Sequence, residues 1–385
     1  MELTEDAFDR RSLFDHPDPY PLFRMLRESQ PVFATQHAGR PTFLLTTYDD
    51  CLAALTDEAT YSSRSNAEAG QVLGRTVLEM DGREHTRYRA LVQPAFVPKS
   101  VEGLRQLIEA VVDDVLAGIG RRADLVAEFT ERYPVQIIAE MLGIPRADHA
   151  RFQHWAFALM GFTVDFARAT AISAEIRTYL LPIIAARRAV PQDDIITRLV
   201  QGTVDGQRLE DEEIVSFLRL LIPGGAETTY RMFGNMLVAL LSERERYERV
   251  RADRSLVPWA IEETLRWETS VVMLSREATR AIEVRGVPIP AGALVSVVVG
   301  SANRDEEHYE RPDAYDLDRR ADDHLSFGAG RHHCLGYHLA RLEAGVALTA
   351  ILDRFPNLRL DPDAPPPAIT GLAFRSPKTL PVLIS

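Results

Sequence analysis

The chain has 385 residues, 46% of them hydrophobic, which suffices for one large continuous core and excludes a disordered or fibrous chain. Its net charge of −12, from 44 basic and 56 acidic side chains interspersed along the sequence, disfavours a nucleic-acid partner. Two cysteines, Cys51 and Cys334, exclude a disulfide framework and point to a reducing, cytoplasmic setting, while the acidic opening and the lack of a membrane-length apolar run predict a soluble, unexported protein with no membrane partner.

Pro17, Pro19 and Pro21 precede a short helix, and TFLLT at 42–46 reads as a strand. From Val101 onward, Leu104, Leu107, Ile108, Val111, Val112, Val115 and Leu116 recur at helical spacing, with Gly118 and Gly120 as the stop. Similar patterns predict helices over 124–142, 148–188, 210–243, 245–253, 256–267 and 336–354. Between 268 and 320, short β-branched runs broken by turn residues predict a small β region. Two last apolar pieces, 371–374 and 380–384, follow the DPDAPPP linker at 361–367 and read as a terminal hairpin. No repeat or second core is evident, so residues 1–385 read as one domain, mainly α with a smaller β region (α+β).

The most informative segment is HLSFGAGRHHCLGYHLARLE, 324–343. Two glycines before Cys334 and one after it let the backbone pass close to a flat object, and a helix from Gly336 sets the sulfur beside a helix N-terminus. There, unpaired N–H groups and the helix dipole favour the thiolate, the form that binds iron. These residues alone leave four readings: an inert buried thiol, a haem ligand, a zinc or copper site from His332, His333, Cys334 and His338, and a redox-sensing thiol. The spacing Phe327-Gly328-x-Gly330-x-His332-x-Cys334-x-Gly336 resembles the haem-binding signature of the cytochrome P450 superfamily. That resemblance implies a cytochrome P450 fold, haem b between the long central helix and the cysteine-loop helix, and Cys334 as its axial thiolate.

Further landmarks follow in the family's order. Glu263-Thr264-Leu265-Arg266 resembles its ExxR element, with Glu263 and Arg266 one helical turn apart and Arg319 matching the third member of the ion network; an isolated ExxR would otherwise read as a surface pair. DGREHTRYRA at 81–90 resembles the helix that crosses the haem edge, so His85 and Arg89 would share a face toward one propionate, with Arg276 and His332 as further partners. Gly82 and Arg83 stand where the family usually shows two prolines.

In LLIPGGAETTY at 220–230, Pro223 removes a helix donor and crowds the Arg219 carbonyl, and Gly224 and Gly225 each weaken a helix by about 1 kcal/mol, so a kink or local opening is expected. Gly225-x-Glu227-Thr228 resembles the family's oxygen-binding groove, in which Thr228 hydrogen-bonds the bound oxygen and Glu227 feeds protons through water; the competing reading is the cap of a restarting helix. ANRDE at 302–306, YERPDAYDLDR at 309–319 and LAFRSPKTLPV at 372–382 extend the resemblance over nearly the whole chain.

The resemblance implies a soluble bacterial-type monooxygenase with O2 as cosubstrate, hydroxylating or epoxidising a hydrophobic small molecule. Electrons would come from a separate ferredoxin and ferredoxin reductase docking on Arg331, His332, His333 and Arg341, and the enzyme would act as a monomer. Substrate contacts fall by analogy at 64–78, 155–175, the oxygen groove, and Val271, Val272, Leu274 and Phe374, although a helix as rich in apolar residues as Trp155, Phe157, Leu159, Met160 and Phe162 is more often core than pocket. A peroxide-driven oxygenase would not need Glu227 and Thr228, and a non-catalytic haem or metal sensor would need only Cys334; Cys51, beside LAAL, reads as a core thiol.

Overall fold

The computed structural model describes residues 16–37 and 39–384, so the acidic start through Asp15 lies outside it. Helix α1 (Tyr20–Ser29) buries Tyr20, Phe23 and Leu26 on one face, and strands β1 (Val32–His37) and β2 (Arg40–Leu45) pair antiparallel. Helix α2 (Tyr48–Thr56) carries Cys51, fully buried in the cluster beneath the sheet as a core thiol. Strand β3 (Tyr61–Ser62) precedes α3 (Gly82–Val92), and α4 (Arg105–Ala117) buries Ile108, Val111, Val112, Val115 and Leu116 as their spacing predicts.

Two expected helices divide. Over 124–142 the chain instead forms β4 (Arg122–Asp124), a π-helical turn (Val126–Thr130) and α5 (Tyr133–Met141), because Pro134 can be accommodated only in a first helical turn. The stretch 148–188 becomes α6 (His149–Met160) and α7 (Phe166–Ala189); Gly161 ends the first, and Asp165 caps the second by accepting from the Arg168 N–H.

The central helix α8 (Asp211–Ser242) starts on a capping box between Glu210 and Glu213 and runs unbroken through Pro223, Gly224 and Gly225, so the expected opening there is absent. Magnitudes explain this. Proline costs about 3 kcal/mol and the two glycines about 1 kcal/mol each. Ile214, Phe217, Leu218, Ile222, Phe233, Met236 and Leu237 are all buried, and each contributes about 1.5–3 kcal/mol.

Helix α9 (Val257–Trp267) leads into β5 (Leu274–Ala278) and β6 (Leu294–Val297), completing a five-stranded sheet in the order β1-β2-β6-β5-β3; β6 runs parallel to β2 and antiparallel to β5. The β region ends at Val297, short of 320. Carbonyls of Asn303, Pro312 and Ala314 accept instead from the Arg266 guanidinium, which holds that segment as turns.

After α10 (Tyr337–Arg354) come β7 (Arg359–Leu360), β8 (Ile369–Thr370), β9 (Ser376–Pro377) and β10 (Pro381–Leu383). The two expected hairpin pieces do not pair with each other. Strand β8 pairs with β9 around a turn at 371–375, while β10 joins a second sheet between β7 and β4. The largest apolar cluster surrounds α8 and packs it against α5, α6, α7, α9 and α10. Among the described residues no helix is long and apolar enough to cross a membrane.

Candidate active site

The loop before α10 sets the first wall of an internal cavity. Two short 3-10 turns, Leu325–Phe327 and Gly330–His332, fold it back so that the Cys334 N–H donates to the Phe327 carbonyl at 2.8 Å. Gly330 has φ +67°, and a β-carbon there would stand 2.7 Å from the Leu55 carbonyl oxygen, so only glycine lets the loop seat against α2. Cys334 lines the cavity with Phe327, Gly328, His332 and Gly336. Burial pushes its thiol up, against the opposing pull of the Gly336 N–H, Arg89 and Arg341. The helix-end N–H of Gly336 thus acts in the direction expected from sequence, against the larger effect of burial.

Helix α8 forms the facing wall with Gly224, Gly225, Thr228, Thr229 and Met232. The Thr228 hydroxyl donates to the Gly224 carbonyl at 3.1 Å, and the Ser270 hydroxyl donates to the Thr228 carbonyl at 2.9 Å. Glu227 turns out buried and tied to Arg231, with Oε1 2.5 Å from Nη2 and Oε2 without a partner. Val271 and Leu274 line the same cavity.

At one edge stand His85, Arg89, Arg276 and His332, on α3, β5 and the cysteine loop. The two imidazoles lie 4.1 Å apart, and neither nitrogen of His85 nor Nε2 of His332 has a hydrogen-bond partner. Arg276 donates to the Ser275 carbonyl, and Arg89 to the His333 carbonyl. Burial, reinforced by Arg89, lowers His85 to about 4, and burial with His85 and Arg276 lowers His332 to about 3. Buried arginines beside imidazoles whose nitrogens lack partners fit an anion-bearing group in the cavity. A cysteine wall, a hydroxyl wall and this edge together suit a haem.

Behind the loop, Arg266 spends all five N–H donors: two on Glu263 at 2.8 Å each and three on the Asn303, Pro312 and Ala314 carbonyls. Arg319 Nε reaches Glu263 Oε1 at 3.3 Å, and the Asp316 N–H donates to the same oxygen. Both members of the ExxR pair are buried.

Residues 135–382 match the Cytochrome P450 family model. The chain is a cytochrome P450. It is 40% identical over 291 residues to Cytochrome P450 107B1 of Saccharopolyspora erythraea, covering 75% of this chain and 72% of that one. It is 36% identical over 383 residues to the cytochrome P450 monooxygenase PikC of Streptomyces venezuelae, covering 95% and 91%. The structure of a mutant of P450 EryK in complex with erythromycin B superposes with a TM-score of 0.87 at 34% identity, covering 95% of each chain. By this kinship the protein is a monooxygenase of the bacterial type.

Several expectations need correction in this cytochrome P450. Val272 is fully buried beside Tyr20, Phe23 and Leu44, and Phe374 backs the cavity through a β-bridge to Val271 without lining it. Among the described residues none from 155–175 lines the cavity; Trp155 and Leu159 are core. The residues of the expected cationic docking cluster are engaged in contacts of their own. Arg341 is locked to Glu262 by bonds of 2.6 and 2.7 Å and stacks over Phe327, Arg331 pairs with Glu58, and His332 belongs to the cavity. Among the described residues no cluster of three or more His, Cys, Asp or Glu is arranged to hold a metal ion, which removes support from a zinc or copper site.

Sequence reasoning missed two residues. Glu343 lines the cavity from α10, buried, with Oε2 unpartnered and its carboxyl driven well up by burial; a glutamate within the apolar run of that helix was the available signal. For Arg231 the available signal was its i,i+4 spacing from Glu227.

Proposed function

We propose that this cytochrome P450 holds haem b on Cys334 and uses O2 with two electrons, delivered by a ferredoxin and its reductase, to hydroxylate or epoxidise a bulky hydrophobic molecule. The single observation behind this is one cavity that sets Cys334 opposite Thr228 and edges them with Arg276 and with two imidazoles, His85 and His332, whose buried nitrogens lack hydrogen-bond partners. The erythromycin B complex of the EryK relative favours a polyketide-sized substrate, as does the mainly apolar lining that includes Phe96, Ile138, Leu220, Val271 and Leu274.

When bound, haem supplies the redox-active iron at which O2 is reduced and one oxygen atom is passed to the substrate. Cys334 provides the thiolate, its charge stabilised by the Gly336 N–H, Arg89 and Arg341. Arg89 and Arg276 would neutralise the propionates and His85 and His332 would hydrogen-bond them, while Gly225, Phe327, Gly328 and Gly336 shape the walls that exclude water. Thr228 presents a hydroxyl to the cavity, and Glu227 is the acid from which that hydroxyl draws protons through water. Glu263, Arg266 and Arg319 hold the cysteine loop in register.

Isotopically labelled dioxygen tests this reading. With ferredoxin and reductase supplied, a ligand that drives the haem toward high spin without coordinating the iron should leave as a product carrying one labelled oxygen. Turnover with unlabelled product, or turnover without the two electron carriers, would overturn it.

A further inference from the structure

The acid of the oxygen groove is held by a residue that also touches the back of the substrate wall. Arg231 Nη2 lies 2.5 Å from Glu227 Oε1, and its Nη1 donates to the Ser376 hydroxyl at 3.0 Å. The guanidinium sits over the rings of Tyr230 and Phe374, 5.0 and 5.6 Å from their centres. Phe374 in turn bridges Val271, which lines the cavity, and the Arg375 N–H donates to the Ser270 carbonyl at 3.0 Å. Asn235 of α8 ties the assembly together, its amide donating to the carbonyls of Glu268 and Arg375. The run Phe374–Ser376 is therefore in contact with the cavity wall on one side and with the partner of Glu227 on the other.

An arginine this close keeps a carboxyl ionised, whereas an isolated buried carboxylate is too costly and takes up a proton. Burial already raises Glu227 against the opposing influence of Arg231. The other titratable groups facing the pair are Tyr230, on the same helix, and half-buried Glu131, just after the π-helical turn. Neither replaces the arginine.

We infer that Arg231 is a positioning residue that couples ligand occupancy to the charge of Glu227. A ligand pressing on Val271 displaces Phe374 and Ser376, loosens the Arg231–Glu227 pair, and lets Glu227 take one proton from solvent water. The acid is then loaded only when substrate is in place, so reducing equivalents are not lost as peroxide in the empty enzyme. This rests on the proton-relay role proposed for Glu227.

Infrared difference spectroscopy of the ferric holoenzyme reads the carboxyl directly. In the wild type, a triphenylmethyl-imidazole, chosen for its bulk, should produce a protonated-carboxyl band, whereas imidazole alone should not. Glu227→Gln should abolish that band, Arg231→Gln and Ser376→Ala should show it without ligand, and Arg231→Lys should restore the ligand dependence. A band that ignores ligand size, or no band in ligand-free Ser376→Ala and Arg231→Gln, would overturn the inference; if Arg231→Gln fails to hold haem, Ser376→Ala decides. Each sample must show the thiolate-type absorption of its carbon monoxide complex, so loss of that signal counts against the haem assignment and the carboxyl band alone judges Arg231.

Discussion

Arg266 shows how much one buried side chain can organise. Lysine has three donors and cannot serve the Glu263 carboxylate and three carbonyls at once, so Arg266→Lys should cost about 3–5 kcal/mol, the range for breaking a buried pair. Denaturant titration of the holoenzyme should show this together with loss of haem, and an unmoved midpoint would contradict it. His85 makes a second residue-level prediction. Its pKa in the folded chain is about 4, below the ordinary value near 6.5. Between those values the unfolded chain binds the proton and the folded chain does not, so haem-free protein should lose stability as pH falls through that window and none from this source above it. His85→Phe should flatten the slope in pH-dependent thermal melts; an unchanged slope would assign it to other groups. Both residues were visible in the sequence by family spacing. That His85 lacks any partner was not, because an absent hydrogen bond is a property of three-dimensional packing.

At the scale of elements, periodicity located α4, α8, α9 and α10 because each buries apolar residues at helical spacing over several turns. It failed where local preference and tertiary packing conflict, above all at Pro223. Since α8 is already continuous there, Pro223→Ala should stabilise the protein: relief of about 3 kcal/mol of proline strain outweighs about 1.6 kcal/mol for two buried methylenes lost. The expected gain of about 1 kcal/mol is measurable by chemical denaturation, and a loss would mean that the proline ring is a packing anchor. Strands of two or three residues were harder still. The partners of β10 are Arg122–Asp124 and Arg359–Leu360, one of them more than 250 residues away, and no local signal encodes such a pairing.

For the whole molecule, the order of landmarks along the chain was enough to anticipate the fold and the two walls of the cavity. Membership of the cavity was not. Trp155, Leu159 and Val272 share the composition of a substrate pocket yet pack as core, since hydrophobicity does not distinguish a lined void from a filled one. Charge misled in the same way: Arg331 and Arg341 look like an open basic patch in the sequence, but each is paired with a glutamate in the fold. The account stands on Cys334 as the iron ligand. The carbon monoxide difference spectrum of the reduced holoprotein tests this most directly: the wild type should show the strongly red-shifted Soret band of thiolate ligation, and Cys334→Ala should lose it. A wild-type band without that shift, or a shifted band that survives the substitution, would contradict the assignment.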